Sequence, residues 1–143
     1  MKRHPALASL SRDHHHALVL AQKLRRATEE AIPAAALAFL SHWEAEESLH
    51  FRVEEEILLP AYAEHGDLRH PAITRMLEDH VRIRRDADLL ARQPSLLLLH
   101  QLGTQLAEHV QFEEHEVFPL IERTIPDDDL TKLGQRLNGP QPS

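Results

Sequence analysis

His50-Phe51-Arg52-Val53-Glu54-Glu55-Glu56-Ile57-Leu58-Leu59-Pro60 recurs about sixty residues on as His109-Val110-Gln111-Phe112-Glu113-Glu114-His115-Glu116-Val117-Phe118-Pro119. Both stretches read His-x-x-x-Glu-Glu, then apolar residues, with proline six positions after the first glutamate. Four residues are just over one turn of an α-helix, so each histidine stacks with its glutamate on one face. Imidazole and carboxylate presented twice on facing helices are the parts from which a four-helix bundle builds a two-metal carboxylate site in its core.

The rest of the chain has the vocabulary of such a bundle. Glycine is scarce, and prolines separate long segments rich in Leu, Ala, Glu and Arg. The pattern predicts a first helix from about Pro5 to Glu30, broken by Ile32-Pro33, and a second from about Ala34 to Leu59 that bends past Pro60 and ends before His65. A third runs from Pro71 to about Arg92, a fourth from about Ser95 to Arg123. Asp127-Asp128-Asp129 after Pro126 marks the start of a short fifth helix to about Leu137, because carboxylates favour the positive end of the helix dipole. A frayed tail follows. No sustained alternation competes, so the expectation is all-α: an up-down-up-down four-helix bundle with a short C-terminal helix. The expected unit is a single domain, 1–143, with its core at about 7–123 and the short helix and tail at 126–143.

Composition narrows the function classes. Lys+Arg 16 against Asp+Glu 23 leaves a net charge of −7, a poor match for nucleic acid or anionic lipid. There is no cysteine, which excludes disulfides, thiolate-held clusters and cysteine nucleophiles. No signal-like core follows Met1-Lys2-Arg3, and the apolar runs are too short to span a bilayer; a soluble cytoplasmic protein is expected. Twelve histidines are far more than usual for this length, and they are spread along the chain instead of forming a terminal tag.

Several of them fall on the apolar stripes. The first helix offers Leu10, His14, Ala17/Leu18 and Ala21; the second Leu40, Trp43, Glu47, His50, Glu54 and Ile57/Leu58. The third offers Ile73, Leu77, His80, Ile83 and Ala87; the fourth Leu102, Leu106, His109, Glu113 and Val117. The order is therefore a tandem repeat, a histidine helix followed by a His-x-x-x-Glu helix, and Asp13-His14 and Asp79-His80 share even their preceding aspartate. A lone core histidine is more often a hydrogen-bonded packing residue than a ligand. Four of them with two stacked carboxylates, without enough arginine or lysine on those faces to neutralise them, need a cation to offset burial. His14, His50, Glu54, His80, His109 and Glu113 are thus the candidate metal ligands. Glu55 and Glu114 stand open between supporting that set and facing water, while Glu56 and Glu116 are read as solvated. So are His4, His65, His70, His100 and His115. Trp43 and Phe112 are expected to pack on the site.

These residues resemble the hemerythrin family, specifically its hemerythrin-like HHE cation-binding domains, over about Leu7 to Ile121. The resemblance is carried by Arg12-Asp13-His14, by His50-Phe51-x-x-Glu54-Glu55 through Pro60, by Leu77-Glu78-Asp79-His80 and by His109-x-x-Phe112-Glu113-Glu114 through Pro119. It implies two iron ions bridged by Glu54 and Glu113 and by an oxo or hydroxo group, with the four histidines as terminal ligands. It also implies that a small ligand (dioxygen, nitric oxide or peroxide) is bound or sensed, or iron itself. A small di-iron oxidase or peroxidase is the alternative, and a metal-free helical interaction module the third. The chain departs from the oxygen-carrying members, which have a histidine one turn before the third-helix ligand, where Met76 stands. They also place the last carboxylate five residues after the fourth-helix histidine, the slot of Glu114. That directs the expectation away from reversible oxygen carriage. His15, His16 and Glu47 are the residues available to replace the absent imidazole.

Overall fold

The computed structural model describes residues 2–139; the expected tail from Pro140 onward lies outside them. Its α-helices are α1 (Ala8–Arg25), α2 (Ile32–His42), α3 (Ser48–Val53), α4 (Leu59–Ala63), α5 (Pro71–Arg92), α6 (Leu96–Phe112), α7 (Phe118–Thr124) and α8 (Asp127–Leu137). There is no strand among the described residues. Three wide π-helical turns, Trp43–Glu47, Glu54–Leu58 and Glu113–Val117, fuse α2, α3 and α4 into one rod and α6 and α7 into another. Four helical runs, at 8–25, 32–63, 71–92 and 96–124, therefore make the body, and α8 closes one end against the 3-10 turn Pro5–Leu7.

The boundaries follow local chemistry. Ser95 accepts from the Leu98 N–H and His70 from the Ala72 N–H, each satisfying a donor that the first turn of its helix leaves free. Pro71 occupies the first turn of α5, where its missing N–H costs nothing. Pro33, expected to break a helix, sits in the first turn of α2 for the same reason and opens it. The first helix also ends earlier than expected, at Arg25.

Two prolines inside the rods raise a harder question, since an interior proline removes one hydrogen bond and crowds the carbonyl four residues back. Each follows a π turn. The Leu59 N–H bonds to Glu54 O and the Phe118 N–H to Glu113 O, five residues back instead of four. That wider winding makes room for Pro60 and Pro119 without breaking the rod. It also begins, both times, at the glutamate singled out from sequence, in keeping with the concentration of π turns at functional sites.

Two apolar clusters fill the interior. One gathers Leu7, Leu10, Ile57, Leu58, Ile73, Met76, Val117 and Phe118 with Leu130, Leu133 and Leu137 of α8. The other gathers Ala17, Leu24, Phe39, Phe51, Ile83, Leu90, Leu102, Leu106 and Val110. Between them runs a polar layer: His14 falls between Leu10 and Ala17, His80 between Met76 and Ile83, Glu113 between Val110 and Val117. Met76, not the expected Leu77, is the core residue of α5 there; Leu77 lies on the exposed side. Gly103 lets α1 and α6 approach closely, for a Cβ at that position would lie 2.7 Å from the Ala21 carbonyl oxygen.

Candidate metal centre

The polar layer holds all six candidate ligands. None of His14, His50, Glu54, His80, His109 and Glu113 is more than 3% exposed. α1 and α5 each supply one histidine, and the two rods supply a histidine and a glutamate one turn apart, as the repeat requires.

The donors divide into two groups. His50 Nε2 lies 3.1 Å from Glu54 Oε2, and His14 Nε2 lies 2.8 Å from Glu113 Oε1. On the other side, His80 Nε2 is 3.1 Å from Glu54 Oε1, while His109 Nε2 is 3.0 Å from Glu113 Oε2. Each glutamate thus turns one oxygen to each histidine pair. His14, His50, Glu54 and Glu113 form one set, and Glu54, His80, His109 and Glu113 the other, with donor atoms within 4.8 Å of one another in each.

Whether these residues fit a metal can be judged from their own hydrogen bonding. His50 Nε2, His109 Nε2 and both oxygens of Glu54 are buried and make no hydrogen bond. Neighbouring polar atoms stand about 3 Å from them, but not in hydrogen-bonding geometry. Buried polar atoms are almost always paired, because stripping their water without replacement is costly. Four orphans pointed at shared spaces, two imidazole nitrogens and one carboxylate, are what a coordinated cation would satisfy. The residues present fit such a group.

Each of the four candidate histidines is also held from behind. Nδ1 of His14 donates to Glu114 Oε2 at 2.6 Å, His50 to Asp13 Oδ2 at 3.0 Å, His80 to Glu55 Oε2 at 2.5 Å, and His109 to Asp79 Oδ2 at 3.1 Å. A carboxylate behind Nδ1 fixes the proton there and leaves the Nε2 lone pair for a metal. The repeat explains the pattern. Asp13 and Asp79, which precede the histidines of α1 and α5, support the next rod's histidine, and Glu55 and Glu114, which follow Glu54 and Glu113, cross to the other half. Glu55 and Glu114, which the sequence leaves open, therefore support the ligands; Glu56 and Glu116 are exposed as read.

Without a cation, protons take its place. Burial by itself would lower His14, but its bonds to Glu113 and Glu114 hold it at about 9. His109 likewise reaches about 9 against burial, drawn up by the charge of Glu113 and its bond to Asp79. His50 and His80 are raised well above the ordinary value by their neighbouring carboxylates, again against burial. Burial would raise Glu113, but the histidines around it hold it well below the usual carboxylate range. Outside, openings of about 270 Å³ beside Asp13 and His50 and about 230 Å³ beside Asp79 and His109 bring the surface to two of the supporting carboxylates.

The proposed substitutes for a fifth imidazole do not join. His15 and His16 are exposed, and Glu47, although buried, pairs with His42 Nε2 at 3.0 Å. Neither donor set contains them or Glu114. The aromatic rings on the site also differ from those expected. Phe51 stacks on His80 at 3.9 Å and Phe118 on His14 at 5.2 Å, whereas Trp43 packs behind Phe51 and Phe112 lies under Arg75. Of the histidines read as solvated, His4 and His70 cap helical turns and His100 bonds to the Ala27 carbonyl.

A helical body with this buried His/Glu cluster is capable of holding a cation. The family model of the hemerythrin HHE cation binding domain matches residues 6–122, and the chain belongs to that family. No curated protein and no solved structure matches it. Among the described residues no helix is long and apolar enough to cross a membrane.

Proposed function

We propose that the protein holds two iron ions between its two donor sets and uses them to bind or sense a small oxidant or diatomic ligand: dioxygen, nitric oxide or peroxide. The observation that carries this is the division of Glu54 and Glu113, one oxygen of each facing each histidine pair. Carboxylates placed so could each be shared by two cations, one beside each histidine pair. Mixed imidazole and carboxylate donors suit iron, and iron supplies the redox chemistry that such ligands need. Each set would offer a cation two imidazole nitrogens and two carboxylate oxygens. The four helical runs are taken as an up-down-up-down bundle within one domain, 1–143, in the cytoplasm, with neither nucleic acid nor membrane as partner.

In this reading the chain's own groups have separate roles. His14 and His50 hold one ion and His80 and His109 the other. Asp13, Asp79, Glu55 and Glu114 keep the imidazoles oriented by accepting hydrogen bonds from their Nδ1–H groups. Phe51 and Phe118 exclude water from one face of His80 and His14. The metal-free alternative leaves four buried donor atoms without partners.

Mixing the anaerobic ferrous protein with nitric oxide, dioxygen or hydrogen peroxide tests the proposal. One ligand bound or reduced per iron pair supports it; no spectral response to any of the three contradicts it. Catalytic turnover of hydrogen peroxide far above free-iron controls, lost in Glu54→Ala, would move the protein to the oxidase or peroxidase reading.

A further inference from the structure

Arg3 lies outside the residues that the family model matches, yet it reaches the metal centre. Its guanidinium donates to Glu114 Oε1 at 3.2 Å, to the Glu114 carbonyl oxygen at 2.6 Å and to Glu122 Oε1 at 2.9 Å. Glu114 is the carboxylate on His14 Nδ1, and Ser11 Oγ donates to its Oε2 at 2.8 Å. The guanidinium carbon also stands 5.4 Å from the centre of the Phe118 ring, which itself stacks on His14.

The other half of the centre has the same four-part arrangement. Glu55 supports His80, Arg84 clamps both oxygens of Glu55 at 2.9 and 3.0 Å, and Phe51 stacks on His80 with Arg84 5.7 Å from its centre. The two arginines do not occupy equivalent places in the repeat. Arg84 follows its histidine by one helical turn, where the first half has Leu18 after His14. Arg3 comes instead from ahead of α1. The same imidazole, glutamate, arginine and phenylalanine are thus assembled twice, although Arg3 and Phe118 stand at places that the repeat does not pair with Arg84 and Phe51.

Arg3 is not a loosely placed surface residue. The His4 N–H donates to Glu122 Oε2 at 2.6 Å, and the His4 ring pairs with Asp127 of α8 at 3.0 Å. Ala6 packs so closely on α8 that a Cβ on Gly134 would lie 2.8 Å from its Cα. α8, also beyond the matched residues, thereby seats the segment that carries Arg3.

We propose that Arg3 is a positioning residue of the metal centre: by fixing Glu114 it sets the orientation and tautomer of His14, as Arg84 does for His80 through Glu55. Arg84 grips both oxygens of Glu55, whereas Arg3 Nη2 ties one carboxylate oxygen of Glu114 to the carbonyl of the same residue while Nη1 is anchored on Glu122, a set of directions that an ammonium matches less well. The inference rests on the metal-binding reading, and its test separates the two. Apo-protein is titrated with Co²⁺ alone by calorimetry, and the loaded protein is followed by proton NMR, where a ligand's Nδ1–H appears as a shifted, exchangeable signal.

Loss of an outer partner of a ligating histidine weakens binding about 10- to 100-fold, and Arg3 is one contact further out. Arg3→Gln is therefore expected to weaken one of two Co²⁺ equivalents by about tenfold and to speed solvent exchange of the His14 Nδ1–H. Arg84→Gln is expected to weaken the other equivalent, and Arg3→Lys to recover part of the loss. Wild-type affinity for both equivalents in Arg3→Gln, with the Nδ1–H signal unmoved, overturns the proposal, even if the melting temperature falls. Should wild-type protein bind no Co²⁺, the metal reading fails and this one with it.

Discussion

Metal uptake by this protein should expel protons, and the number is set by the histidines. His14 and His109, one in each donor set, are held at about 9 in the absence of metal, and His50 and His80 are raised well above their ordinary value. Held at about 9, His14 and His109 are charged at pH 7, the rise of His50 and His80 favours their charged form as well, and each charged imidazole must give up its Nε2 proton to become a ligand. Two divalent ions then replace four imidazolium charges, two for two in each set. Displacing a proton from a group two units above the ambient pH costs about 3 kcal/mol. Metal affinity at pH 7 is correspondingly reduced, and it should rise by about two powers of ten per pH unit for each ion until the histidines titrate near 9. The perturbation is a Zn²⁺ titration of apo-protein at pH 7, repeated in buffers of different ionisation enthalpy so that calorimetry counts the protons. We expect close to two released per ion. Less than one proton per ion, or an affinity flat between pH 6.5 and 8.5, would show that the histidines are not the groups displaced by metal.

Stability depends on pH differently in the two forms. The folded-state values of these histidines lie above the unfolded value of about 6.5, so their contribution to the apo-protein is complete below that pH and fades as pH rises through about 9. The apo melting temperature should fall across that window while the increase on adding metal grows, as thermal scans in matched buffers would record. Glu54→Gln, Glu113→Gln, His50→Ala and His109→Ala should each lose metal and remove the stabilisation that metal gives, checked by elemental analysis and by melting with and without chelator. Gly103→Ala should cost about 1–3 kcal/mol in urea unfolding, because the added methyl meets the Ala21 carbonyl and Arg25 across the α1–α6 contact. The iron-loaded ferrous protein should autoxidise quickly, since each donor set offers only two imidazoles and its other donors are hard oxygens. Met76→His, one turn before His80, should slow this; a wild-type oxygen adduct that lasts hours at room temperature would contradict it.

Periodicity is what makes the centre legible in the sequence. The six candidate ligands sit on apolar stripes, and stripes become cores, so their convergence follows from spacing alone. Backbone winding leaves a fainter trace. The π turns at Glu54 and Glu113 have no side-chain signature of their own, and their only sign is a proline six residues later that a regular helix would not tolerate. Neighbouring stripe positions are harder to separate: Leu77 and Met76 differ by one residue, and packing in the cluster with Leu10 and Ile73 selects Met76. The aromatic packing differs from expectation because ring direction depends on rotamer. Phe51 follows His50 immediately, yet covers His80 on another helix. Arg3 is beyond the reach of pattern, since its place depends on how the chain ahead of α1 docks on α8, a contact more than a hundred residues apart in sequence.

The central claim, two metal ions shared by Glu54 and Glu113, is tested most directly by metal content and spectrum of aerobically purified protein taken together. Two irons per chain with the near-ultraviolet absorption of a bridged diferric pair are predicted. About one zinc per chain and no such absorption would contradict the account.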